Sequence, residues 1–215
     1  MVGIQTELLI IIIANVLFSL KGFNDGNFFN KYKFQIGAIK RGDKVRMVSS
    51  AFLHADWIHL GFNMYALFLF GKIVLVNLGS LNFLIIYFAS LLVGSLYSFI
   101  THKNSDYYSA VGASGAVSGI VFSSIMLYPD MVIYMPFPLP GYVYGIGYLL
   151  YSIYGMKKQL GNIGHSAHLG GAIGGYVLTL LLAPYVVSNN SILIIVMGVI
   201  IGGLLFFGDK LKLNP

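Results

Sequence analysis

Long stretches without an acidic or strongly basic residue constrain this chain more than any other feature. Residues 8–20, 57–71, 73–102, 107–129, 131–156 and 159–208 carry no Asp, Glu, Lys or Arg. Charged residues make up 9% of the 215 and apolar residues 57%, with a mean hydropathy of +0.81. Typical globular proteins hold roughly 25% charged residues, and a soluble domain of this size could not cover its surface with so few. The pattern is that of a polytopic membrane protein.

The hydrocarbon core of a bilayer, about 30 Å thick, takes roughly 20 helical residues. The run 159–208 is too long for one helix, and Pro184 with Ser188-Asn189-Asn190-Ser191 divides it. The sequence therefore predicts an all-α bundle of seven helices, near 4–21, 55–75, 81–101, 112–128, 140–156, 165–187 and 191–208. Barrel strands would alternate in polarity with period two, whereas these segments are apolar all round. The first segment lacks the basic flank and small-residue cleavage site of a signal peptide and has Glu7 in its flank. It is expected to remain as a helix. With no internal repeat and no low-complexity linker, residues 1–215 read as one membrane domain.

The long connection 22–54 mixes Lys31, Lys33, Lys40, Arg41, Lys44 and Arg46 with Phe23, Phe28, Phe29, Tyr32 and Phe34. Such a mixture suits a segment half immersed among lipid headgroups. The formal charge of +6 therefore points to the bilayer rather than to nucleic acid. Cysteine is absent, which excludes disulfides, thiolate nucleophiles and Cys-ligated metals.

Polar residues within the apolar runs carry the functional signal. His54 and His59 stand at the start of the second predicted helix, and His165 and His168 at the start of the sixth. Asn63 lies four residues after His59, hence on the same helical face. Gly112-Ala113-Ser114-Gly115 opens the fourth helix. Even-numbered helices run in one direction, so His59, Asn63, Ser114 and His168 are expected at one depth on one side.

A serine hydroxyl needs a neighbouring base to become a nucleophile, and histidine is the usual one. An amide and an imidazole N–H on one face can hold a developing oxyanion. No carboxylate lies within the helices behind the histidine, so the arrangement is a Ser–His dyad rather than a triad. Gly115 and Gly119, and likewise Gly171 and Gly175, have the spacing that lets membrane helices approach closely. Packing through these stripes would bring Ser114 to His168.

These motifs resemble those of the rhomboid intramembrane serine proteases. His59-Leu60-Gly61-Phe62-Asn63 looks like the family's HxxxN, and His54 like its additional upstream histidine. Gly112-Ala113-Ser114-Gly115 matches GxSG, and Ala167-His168 through Gly175 matches AHxxGxxxG. The match runs from about residue 36 to 180. It implies a six-helix core, 1–187, with the helix at 191–208 as an addition. It implies Ser114 as nucleophile, His168 as base, and His59, Asn63 and the Ser114 amide as oxyanion donors. His54, Gly112, Gly115, His165, Gly171 and Gly175 would support them. No cofactor or metal is implied.

The substrates implied are transmembrane proteins, cut near a helix end where Gly or Pro eases unwinding. The fifth helix would be a mobile gate, short and preceded by Pro136, Pro138 and Pro140, with Tyr144, Tyr148 and Tyr151 striping one face for packing. The chain would be a multi-pass protein of the cell (inner) membrane with its site on the extracytoplasmic side. The positive-inside rule opposes this orientation, because 12 of the 13 Lys and Arg then lie outside and only Lys72 inside.

Two positions depart from the family pattern. Ser118 stands where many members carry Tyr or Phe stacked on the catalytic histidine. Gly42-Asp43-Lys44-Val45-Arg46 keeps the arginine of the first-loop motif but has no tryptophan. Two other readings stay open on the sequence alone: a non-catalytic relative that binds transmembrane clients, and a metal protein using the four histidines near one face.

Overall fold

A computed structural model of the chain describes residues 5–134, 137–158 and 164–207, the side chains of 204–207 excepted. It is mostly helical. The first apolar run forms α1 (Thr6–Asn24), with Glu7 in its first turn, where a carboxylate complements the free N–H groups. The predicted second and third helices are two arms of α5 (Trp57–Thr101) that meet at Gly79, whose φ of 79° and ψ of 170° break the helical path. Only glycine adopts that backbone without penalty. Asp56 caps α5 by accepting from the His59 N–H at 2.8 Å.

The remaining helices are α6 (Ser114–Leu127), α7 (Gly141–Lys158) and α8 (His165–Leu182), followed by α9 (Tyr185–Asn189) and α10 (Ser191–Phe207). The sixth predicted helix was expected to reach residue 187. It stops at Leu182 because Pro184 disfavours helical backbone at Ala183, which sits at φ −139° and ψ 61°. The fifth was expected to be short, yet α7 is as long as α8. Of the prolines ahead of it, Pro136 lies outside the described residues. Pro138 and Pro140 bound β4 (Pro138–Pro140), which pairs antiparallel with β3 (Val132–Tyr134).

Among the described residues, α1 and α5 are by length and composition the helices long and apolar enough to cross a membrane, while α6 and residues 191–203 of α10 are shorter apolar segments. The centre of the molecule is α6, buried from Gly115 through Met126. Close approach explains its glycines. A Cβ on Gly171 would run into the Gly115 carbonyl, and one on Gly175 into the Gly119 carbonyl. The second arm of α5 joins them at Gly94, where a Cβ would lie 2.7 Å from the Ala167 carbonyl oxygen. Without side chains between them, three backbones pack directly, and dispersion rather than water exclusion holds them together. Larger side chains, notably Phe83, Tyr87 and Phe122, fill the remaining space.

The basic, aromatic connection folds into short elements: α2 (Gly26–Tyr32), β1 (Phe34–Gln35), α3 (Ile36–Lys40), α4 (Arg46–Ser49) and a 3-10 turn at Ser50–Phe52. No residue of α2 is buried, as suits a helix lying in headgroups. Arg46 anchors this region without the family's tryptophan. Its Nη1 donates to the carbonyls of Asn30 at 2.8 Å and Lys33 at 3.0 Å, and its Nε pairs with Asp43 at 2.6 Å. β1 pairs antiparallel with β2 (Ser109–Ala110), which ties the connection to the segment leading into Ser114.

Candidate active site

Three helix starts converge on one cavity. Ser114 is the first residue of α6, His168 lies in the first turn of α8, and His59 in the first turn of α5. Together with Asn63 they line a cavity of about 590 Å³, whose walls also include Asp56 and, from the basic connection, Phe29 and Lys33. Of the sequence-predicted residues, these four polar groups are therefore brought together.

Gly112 makes the approach of His59 possible. Its φ is 126°, and a Cβ there would sit 2.8 Å from His59 Nε2 and 3.6 Å from Ser114 Oγ. The His59 imidazole thus lies over the Gly112–Ser114 segment. Its Nδ1 accepts from the Ala55 N–H at 3.4 Å, which assigns the ring proton to Nε2, the edge that faces Gly112. Asn63 Nδ2 donates one hydrogen to the His59 carbonyl at 2.9 Å, leaving its second for the cavity.

His54 is buried outside the cavity wall and supports it from behind. The Ser19 hydroxyl donates to the Phe52 carbonyl at 3.1 Å, so it accepts from His54 Nδ1 at 2.9 Å. His54 Nε2 is then free to accept from the Ala113 N–H at 3.4 Å. The adjacent Gly112 N–H donates to the Ser50 carbonyl at 3.0 Å. These bonds fix the turn immediately ahead of Ser114. Burial, reinforced by neighbouring His59, holds the His54 imidazole well below the ordinary histidine range. A neutral ring is what its acceptor role requires.

On α8, the His168 N–H closes the first turn on the Gly164 carbonyl at 3.0 Å. Its ring is flanked on two sides. His165, buried beside Gly155 of α7, meets it edge-on at 6.3 Å and 72°. Tyr148 of α7 stacks on it at 5.9 Å and 24°, a contact worth about 0.5–1.5 kcal/mol beyond the area it buries. The Tyr148 phenol lies 2.6 Å from Ser118 Oγ. Sequence reasoning assigned Tyr148 to packing and left His168 without an orienting partner. The one available signal was the serine itself, which puts a small hydroxyl where a ring was expected. Gly115, Gly171 and Gly175 act at one remove, by seating α6 against α8. Among the described residues no group of three or more His, Asp or Glu is placed to hold a metal ion.

This site, at the starts of three close-packed helices, defines a family. The Rhomboid domain model matches residues 41–185, and the chain belongs to the rhomboid family of integral membrane proteins, which includes serine proteases. It is similar to RHOMBOID-like protein 12, mitochondrial, of Arabidopsis thaliana, at 31% identity over 76% of this chain and 54% of that protein. Rhomboid protein 1, mitochondrial, of Saccharomyces cerevisiae is 33% identical over 61% of this chain and 40% of its own length. Rhomboid protease AarA of Providencia stuartii is 31% identical over 67% of this chain and 58% of its own. The chain thus spans about half the length of the curated relatives it matches.

Proposed function

We propose that this chain is an intramembrane serine endopeptidase that cuts transmembrane segments of other membrane proteins. The observation that carries this reading is the meeting of Ser114, His168, His59 and Asn63 on one cavity. Ser114 Oγ attacks the scissile carbonyl as His168 takes its proton. The tetrahedral oxyanion is held by His59 Nε2–H, the free hydrogen of Asn63 Nδ2 and the Ser114 backbone N–H. Collapse expels the amine, which receives the proton back from His168. A water molecule, deprotonated by the same imidazole, then releases the new carboxyl end and restores Ser114.

A helical substrate keeps its carbonyls in hydrogen bonds, so segments that unwind readily should be preferred. The topology in this reading is a six-helix core, residues 1–187, with α10 as an additional span. The membrane is the cell (inner) membrane and the cavity opens to its outer side, with α7 as the gate. Rhomboid proteases act on transmembrane substrates, and the serine, the histidine and both oxyanion donors of the family pattern are kept here. The test is cleavage of a model transmembrane substrate by purified protein in detergent or vesicles. Cleavage should vanish in Ser114→Ala and His168→Ala, and undiminished cleavage in either variant rejects the dyad.

A further inference from the structure

A dyad without a carboxylate leaves open how its base is kept in line. Among the cavity's lining residues the one acid, Asp56, accepts from the His59 N–H, so the alignment of His168 has to come from its flanks. We infer that Tyr148, pinned by Ser118, is the positioning residue that holds the His168 imidazole toward Ser114, and that it ties this alignment to the seating of α7. The inference rests on the Ser114–His168 reading above.

The hydrogen bonds set the direction of the linkage. Ser118 Oγ donates its hydrogen to the Ser114 carbonyl at 2.7 Å. It therefore accepts from the Tyr148 phenol at 2.6 Å. One chain of contacts runs from the backbone of Ser114, through Ser118 and the phenol, to the ring stacked on His168. Phe122, at 5.8 Å and 57°, and Tyr144, at 6.1 Å and 22°, close on the same ring. Tyr148 thus has little rotational freedom to pass on to His168.

The stacking ring that many rhomboids carry on the nucleophile's own helix comes here from α7. A ring at position 118 and a ring at 148 would compete for the face of His168, and serine at 118 both vacates the space and binds the phenol. The placement has a consequence for motion. α7 is seated through small residues: a Cβ on Gly145 would already lie 3.3 Å from Ile125 Cδ1, and Gly155 lies against the His165 ring. When α7 moves away from α6, Tyr148 leaves with it and His168 loses its stacked face. The base is aligned only while α7 is docked.

The test compares wild type, Ser114→Ala, Tyr148→Phe, Tyr148→Leu and the double variant Tyr148→Leu/Ser118→Tyr. Its readouts are kcat and KM on a model transmembrane substrate and the His168 ring resonance in 13C-histidine-labelled protein. Tyr148→Phe keeps the ring but loses the bond to Ser118, and its kcat should fall between those of wild type and Tyr148→Leu. Tyr148→Leu should lose about tenfold or more in kcat with KM within about twofold, as misalignment of a reacting group does. It should also shift the His168 resonance through loss of the ring current. Returning a ring at position 118 should recover kcat, which a merely weakened fold would not do. Wild-type kcat in Tyr148→Leu overturns the inference, whether or not the His168 resonance moves. Wild-type cleavage by Ser114→Ala would instead overturn the reading of the site on which the inference rests.

Discussion

Tyr148 of α7 lies against His168 of α8 with ring centroids 5.9 Å apart and planes 24° from parallel. The orienting contact of the proposed base thus comes from a helix that carries none of Ser114, His168, His59 and Asn63. Changes far along α7 should be felt at Ser114, while the groups that touch the cavity should respond more locally.

Gly112 is the most sensitive of those local positions. A Cβ would meet His59 2.8 Å from Nε2, and the φ of 126° is strained for any other residue. Gly112→Ala should cost about 1–3 kcal/mol of stability through backbone strain. Displacing His59 should also lower kcat by about a hundredfold. Thermal melting and substrate cleavage measure the two effects separately.

The helix contacts predict damage of another kind. Gly171→Ala and Gly175→Ala would each push a methyl into a carbonyl of α6. Each should destabilise the fold by about 1–3 kcal/mol, the usual cost of overpacking. Thermal or detergent unfolding should register it. Gly26→Ala, where a Cβ meets nothing within 4 Å, is the neutral control.

Arg46 is predicted to be irreplaceable by lysine. A single ammonium cannot serve the Asn30 and Lys33 carbonyls and Asp43 together. Arg46→Lys should lose about 1–2 kcal/mol and loosen α2, seen as faster amide exchange between residues 26 and 33. Asp43 is 46% exposed, so Asp43→Asn should cost less than about 1 kcal/mol.

Stability should fall with acid in part through His54. Burial lowers its pKa in the folded chain, so near pH 6.5 the unfolded chain begins to bind a proton that the native state refuses. The contribution is full above that pH and is lost progressively as pH drops below it. Melting temperature should decline from pH 7 toward pH 5, and less steeply in His54→Gln. An unchanged slope in that variant would contradict the assignment.

Much of this was legible in the sequence because membrane burial writes a strong signal. Charge-free runs located α1, α5, α6, α7, α8 and α10, and Pro184 marked a break two residues beyond the end of α8. The joining of two predicted helices through Gly79 was hidden, since a glycine does not announce its φ. The short elements between residues 26 and 52 were invisible because none is long enough to show a period. Ser114, His168, His59 and Asn63 were legible from helix direction, which places even-numbered helix starts on one side. Tyr148 was not. A tyrosine stripe at 144, 148 and 151 states that a face exists, but the neighbour it meets depends on how α7 rotates against α6 and α8. That rotation is set by glycine contacts distant in sequence.

The proposed mechanism requires that His168 activate Ser114. Labelling with a serine-directed phosphonate, with the modified peptide read by mass spectrometry, tests it most directly. A single adduct on Ser114 is expected in the wild type, with its loss in His168→Ala. An adduct on another serine, or Ser114 labelled at the wild-type rate without His168, would contradict it.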